Sequence, residues 1–134
     1  MLKVLIIDDD DIVRLVQGKL LQNCKVTKEP IKFKGAFEAV EYLNSASTEH
    51  HYLLMLDINM PIMNGWEFLD EIEKMSIKEN IYVLMVSSSI DYNDKEKAKK
   101  YNKIINFIEK PITAKNCEQL KELPIFKPFF PQPN

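Results

Sequence analysis

Four short apolar runs in this chain each end at a residue that can do chemistry. Val4-Leu5-Ile6-Ile7 runs into Asp8-Asp9-Asp10-Asp11, Tyr52-Leu53-Leu54-Met55-Leu56 into Asp57, and Tyr82-Val83-Leu84-Met85-Val86 into Ser87. Ile104-Ile105-Asn106-Phe107-Ile108 leads through Glu109 to Lys110 and Pro111. Clustered carboxylates beside a carbonyl oxygen suit a hard divalent cation such as Mg²⁺, which keeps several waters and takes one or two carboxylates. Asp8, Asp9, Asp57 and the backbone carbonyl of Asn59 would provide that set, for Mg²⁺ or alternatively Mn²⁺. A carboxylate can also be a nucleophile, forming an aspartyl phosphate. Phosphoryl transfer asks a protein mainly for in-line positioning and charge neutralisation. The Lys110 ammonium and the Ser87 hydroxyl would meet that need, and Asp57, ionised at neutral pH, requires no general base.

Each of these features taken singly has a plainer explanation. An acidic run before a helix usually caps it and complements its dipole. A serine at a strand end commonly starts a turn, and a lysine before proline is commonly solvated. The combination at four strand ends carries the functional reading.

Such residues meet only if the elements bring them together. Apolar runs alternate here with segments of helical periodicity, the pattern of βαβ units around a parallel sheet. In open parallel sheets, ligands bind outside the carboxyl ends of the strands. The spacing predicts a first helix with Ile12, Val13, Val16, Leu20 and Leu21 on one face and Asp10 or Asp11 as N-cap. Ile31 to Phe33 reads as a weak second strand, and Ala36, Ala39, Val40 and Leu43 as one side of a second helix. A third helix follows Gly65, with Phe68, Leu69, Ile72 and Met75 at helical spacing. A fourth, about 94–101, has only Ala98 and Tyr101 as apolar anchors and should be the least firmly packed. The last starts near Thr113 and carries Ala114, Cys117 and Leu120.

The 134 residues, 46% of them hydrophobic, suit one domain with a real core. A formal charge of −2 gives no global reason to bind nucleic acid or an anionic membrane. Cys24 and Cys117 lack metal-ligand spacing and read as small apolar fillers in a reducing cytosol. With no signal peptide and no unbroken apolar span, a cytoplasmic protein without membrane insertion is expected. Lys95, Lys97, Lys99, Lys100 and Lys103 form either a solvated face interleaved with Glu96 or a docking patch for an acidic partner. Direct nucleic-acid binding is not expected, for want of a recognition helix, an arginine cluster or a stacking set.

These residues closely resemble the receiver domain of two-component response regulators, of the single-domain, chemotaxis-receiver-like kind. The resemblance covers about residues 2–123 and rests on Ile7-Asp8-Asp9-Asp10, Leu56-Asp57-Ile58-Asn59-Met60-Pro61 with Asn64-Gly65, Val86-Ser87, and Phe107-Ile108-Glu109-Lys110-Pro111. It implies an α/β, doubly wound (βα)5 flavodoxin-like fold with a five-stranded parallel sheet and helices on both faces. It implies a signalling module rather than an enzyme: Asp57 accepts a phosphoryl group from a histidine kinase or histidine phosphotransfer protein. Asp8, Asp9, Asp57 and the Asn59 carbonyl would hold Mg²⁺, Ser87 and Lys110 the phosphoryl group. Phe107 would be the aromatic that changes rotamer, and the Lys110–Pro111 bond would be cis. Phosphorylation would then alter the surface around the fourth helix, last strand and last helix for a downstream protein, the chain being a monomer or a phosphorylation-dependent dimer. Ser87 stands where threonine is more usual, and Phe107 where tyrosine is frequent. Asn59 and Ser89 would flank the site and shape water access.

Two other readings are carried forward. One is a receiver cut from a longer regulator with its own output domain. The other is a Mg²⁺-dependent phosphatase working through an aspartyl phosphate, against which stands Asn59, where such enzymes have a second Asp. Domain boundaries are expected at 1–123, with a Pro/Phe-rich tail at 124–134 that either lies loosely or covers an apolar groove through Phe126, Phe129 and Phe130.

Overall fold

The computed structural model describes residues 1–88 and 90–130. The elements alternate: β1 Leu2–Ile7, α1 Asp11–Asn23, β2 Ile31–Phe33, α2 Ala36–Asn44, β3 His51–Leu56, α3 Gly65–Glu73, β4 Ile81–Ser87, α4 Tyr92–Ala98, β5 Ile104–Glu109 and α5 Ala114–Glu122. Every strand pairing is parallel, and the five strands lie in the order β2-β1-β3-β4-β5. The order reverses between β1 and β3, which opens a crevice at the carboxyl ends of those strands.

Successive strand side chains point to opposite sheet faces. Leu5, Ile7, Leu54, Leu56, Val83 and Met85 therefore pack with residues of α2 and α3 and with Ala98 of α4. Val4, Ile6, Leu53, Met55, Leu84 and Val86 pack with Leu21 of α1 and with Cys117 and Leu120 of α5. Such double burial is why β1, β3 and β4 read as continuous apolar runs.

Helix α1 differs from the expectation. Asp10 caps it through Ile12 and Val13, but its buried residues are Gln17, Gly18 and Leu21. Ile12 is 71% exposed and Val16 51% exposed, with Leu15 beside them. Apolar spacing on a helix marks a stripe but does not say that the stripe faces inward. Helix α4 also differs: it starts and ends earlier, because an Asp91–Asp94 capping box sets its first turn. Only Ala98 of α4 is buried. It is held instead by Lys97, whose ammonium lies 5.0 Å from the Trp66 ring centroid. Tyr101 follows, 5.7 Å from Trp66 between centroids and donating to Asp70.

The residues after α5 do not lie loosely. Phe126 is 0% exposed and meets Tyr82 edge-on at 5.3 Å between centroids, and Phe129 lies 5.4 Å from the His51 ring. A short 3₁₀ turn, Lys127–Phe129, carries the chain between them. Residues 131–134 of the tail lie outside the described residues.

Candidate functional site

Three strands deliver the acids and their partners to one crevice. Ile7, the last residue of β1, lies between Phe33 and Leu56 in the sheet, so the residues that follow, Asp8 and Asp57, emerge side by side. Asp57 N–H donates to the Ile7 carbonyl at 3.1 Å, extending the ladder by one rung. Asp8 and Asp57 are 2% and 6% exposed, whereas Asp9 is open to solvent. One carboxylate oxygen from each of Asp8, Asp9 and Asp57 lies within 4.8 Å of the others. An all-oxygen, triply anionic donor set of that span fits a hard divalent cation. Asn59 is exposed, and its N–H approaches Asp57 Oδ1 at 3.4 Å.

Lys110 enters from the end of β5. Its ammonium is 2.7 Å from Asp8 Oδ2 and 3.4 Å from Asp57 Oδ2. Its N–H donates to the Ser87 carbonyl at 2.9 Å, tying the ends of β4 and β5 together. Ser87 is fully buried opposite Glu109, and the Lys110–Pro111 peptide is cis. Phe107 is half-buried, pairs with Met85 in the sheet and packs against the core that includes Trp66 and Tyr101. Ser89 lies outside the described residues.

The electrostatics follow from burial. Loss of water raises the Asp57 pKa above its ordinary 3.8, the Asp8 charge raises it further, and Lys110 opposes both. Burial alone would lower the Lys110 pKa, but its hydrogen bond to Asp8 and the charges of Asp57 and Asp8 together leave it raised above 10.5. A raised lysine stays charged at neutral pH, where it can face an anion.

Gly65 has a steric reason that its sequence position only hinted at. A Cβ there would lie 2.7 Å from the Asp57 carbonyl oxygen and 3.0 Å from the Ile58 Cα. Its N–H reaches the Ile58 carbonyl at 2.8 Å, so the start of α3 is pressed against the acidic loop. Asn64 caps the start of that helix with a capping box to Glu67. Sequence reasoning missed Arg14, which donates to the Asp8 carbonyl at 2.6 Å and pairs with Asp11. The available signal was an arginine one turn past four acids.

Residues 4–121 match the response regulator receiver domain. The chain belongs to that family. A response regulator receiver protein from Dyadobacter fermentans superposes with a TM-score of 0.81 at 28% identity, covering 90% of this chain and 96% of that one. A two-component response regulator from Cytophaga hutchinsonii gives 0.77 at 29% identity, covering 90% and 93%. Protein-glutamate methylesterase/protein-glutamine glutaminase of Treponema denticola is 32% identical over 83 residues, 62% of this chain but only 22% of that protein. Its methylesterase activity belongs to a protein of which this chain spans under a quarter.

Membership makes the chain a receiver domain of two-component signalling, a family whose members are in general signalling modules rather than enzymes. Receiver domains generally bind Mg²⁺ at an acidic pocket, and they interact with histidine kinases or phosphotransfer proteins. No helix among the described residues is long and apolar enough to cross a membrane.

Proposed function

We propose that Asp57 is the phosphoacceptor of this receiver and that the phosphoryl group comes from a phosphohistidine of a sensor kinase or phosphotransfer protein. An Asp57 carboxylate oxygen attacks phosphorus, the bond to the donor imidazole nitrogen breaks, and that nitrogen keeps the electron pair. The observation that carries this reading is the convergence of Lys110 on Asp57 and Asp8. An ammonium there neutralises charge on the transferred group, and burial makes its field strong. Desolvation also raises the basicity of Asp57 and with it its nucleophilicity.

The cation would be held by Asp8, Asp9, Asp57 and the Asn59 carbonyl, with Mg²⁺ or Mn²⁺ suited to these oxygens. It supplies charge neutralisation for the phosphoryl oxygens when bound. Ser87 would donate its hydroxyl to a phosphoryl oxygen, and Phe107 would follow into the space vacated under α4. That rearrangement alters α4, β5 and α5 for a downstream protein partner, in a cytoplasmic chain without direct nucleic-acid contact. Taking the switch from mostly off to mostly on requires a preference of about 5.5 kcal/mol. The phosphatase reading has no support from the site, since Asn59 cannot serve as a general acid.

Intact mass after incubation with acetyl phosphate tests the proposal. Wild type should gain one phosphoryl adduct that depends on Mg²⁺, and Asp57→Asn should gain none. An adduct retained in Asp57→Asn would place the acceptor elsewhere.

A further inference from the structure

Asp8 is held at every polar atom it has. Its N–H donates to the Phe33 carbonyl at 3.1 Å. Its Oδ1 accepts from the Asp10 N–H at 2.9 Å and its Oδ2 from Lys110 at 2.7 Å. Its carbonyl, where the β1 ladder has run out, accepts from Arg14 Nη1 at 2.6 Å. Arg14 is the chain's one arginine. It sits on the second turn of α1, and its side chain is only 15% exposed. Its other terminal nitrogen pairs with Asp11, on the first turn of the same helix. One guanidinium therefore spans from the strand end to the helix start and closes the turn that carries Asp8 and Asp9.

The rigid fork of arginine is suited to this, since two donors leave it in a fixed plane. A backbone carbonyl stripped of water and left without a donor is costly, so the turn would rearrange if the fork were removed. The four adjacent acids repel one another, and Arg14 is the only cation contributed by their own helix turn.

We propose that Arg14 is a positioning residue for the divalent cation of this receiver. It fixes the β1–α1 turn so that the Asp8 and Asp9 carboxylates face Asp57 before a metal arrives. This rests on the reading of Asp8, Asp9 and Asp57 as the metal set, and it assigns Arg14 no contact with the ion or the phosphoryl group. Two effects of its charge and its shape have opposite signs. A nearby cation repels a metal, whereas a preformed donor set binds one more tightly. Arg14 spends its donors on a carbonyl and on Asp11 rather than on the cluster carboxylates, so shape should dominate.

The test is Mn²⁺ binding read by the electron paramagnetic resonance signal of the free ion, on wild type, Arg14→Gln, Arg14→Lys and an Asp8→Asn control. Arg14→Gln should weaken Mn²⁺ binding roughly tenfold, the low end for partners that orient metal ligands. Arg14→Lys, which keeps the charge and one donor, should lie between it and wild type. With acetyl phosphate, the change should fall on the metal concentration at half-maximal rate more than on the rate at saturating metal. Unchanged or tighter Mn²⁺ binding in Arg14→Gln would overturn the proposal, leaving the guanidinium as a rival cation. A lower rate at saturating metal with unchanged Mn²⁺ affinity would overturn it as well, in favour of a general structural role. Should Arg14→Gln not fold, Arg14→Lys decides alone, on the same two readouts. If Asp8→Asn binds Mn²⁺ as wild type does, the metal set itself is wrong and this proposal falls with it.

Discussion

Lys110 lies nearer to Asp8 than to Asp57, at 2.7 Å against 3.4 Å. The residue that would hold the phosphoryl group is thus paired with one that would bind the cation. Asp8 has one carboxylate oxygen on a backbone N–H and the other on an ammonium, so Lys110 would compete with a divalent cation for the charge of Asp8. The same ammonium is already 3.4 Å from Asp57 Oδ2, where it would face a group carried by Asp57.

This predicts opposite effects of Lys110→Ala on binding and chemistry. Divalent-cation affinity should rise at least about tenfold, since a charge-assisted hydrogen bond to Asp8 no longer competes. Phosphorylation by acetyl phosphate at saturating metal should slow roughly a hundredfold, as for loss of a preorganised charge donor. Isothermal calorimetry with Mg²⁺ and timed intact mass measure the two. Weaker Mg²⁺ binding would contradict the competition.

Asp57→Asn should stabilise the metal-free protein at neutral pH. Desolvation and then Asp8 raise the folded pKa of Asp57 above 3.8, so near that value the folded state holds more protons than the unfolded one. Stability therefore falls as pH rises from about the unfolded pKa through the folded one, and the loss is complete above it. Relief of that penalty should raise the thermal midpoint by about 3 °C per kcal/mol. The gain over wild type should shrink as the pH drops through the raised pKa. A difference independent of pH would assign the gain to something other than the charge.

The outward apolar face of α1 lies beside the site. Ile12, Val13 and Val16 line a groove with Pro111 and Ile112, next to Lys110. Ile12→Asp and Val16→Asp should change stability by less than about 0.5 kcal/mol, because both positions are largely exposed. Transfer from a phosphohistidine protein donor should slow by roughly tenfold or more if that face is buried on docking. Modification by acetyl phosphate should be unaffected. Equal slowing with both donors would mean that the substitutions disturb the acidic site instead.

Phe126→Ala should cost about 3–5 kcal/mol, the usual loss for a fully buried ring. Urea unfolding measures it, with the slope unchanged if the transition stays two-state. A cost below about 1 kcal/mol would mean that the segment after α5 does not stay docked in solution.

Much of the fold was legible because double burial leaves a strong trace. β1, β3 and β4 are apolar almost throughout, and each ends at a polar residue where the chain meets water again. Two caps were legible for the same local reason: Asp10 and Thr113 bond to the N–H groups of their own helices, whereas the Asp91 cap that starts α4 was not read from the sequence. Orientation was not legible. The α1 sequence offers Ile12 and Val16 as well as Gln17 and Gly18, and periodicity alone favoured the wrong pair. The prolines of the tail argued against continuation of α5, and no α-helix follows it among the described residues 124–130, but prolines do not forbid a 3₁₀ turn or the burial of Phe126. Ser89 lies outside the described residues.

The sequence by itself determined which chemical groups stand at which strand ends, since burial pattern and turn residues are local properties written along the chain. It thereby determined the receiver family and the convergence expected of Asp8, Asp9, Asp57, Ser87 and Lys110. Tertiary structure alone decided that Lys110 sits nearer to Asp8 than to Asp57, which face of α1 meets solvent, and that Arg14 closes the Asp8 turn. It also seated Phe126 against Tyr82. Those outcomes depend on distances between segments far apart in the chain or on the rotation of a helix about its axis. Neither quantity is carried by any short run of residues.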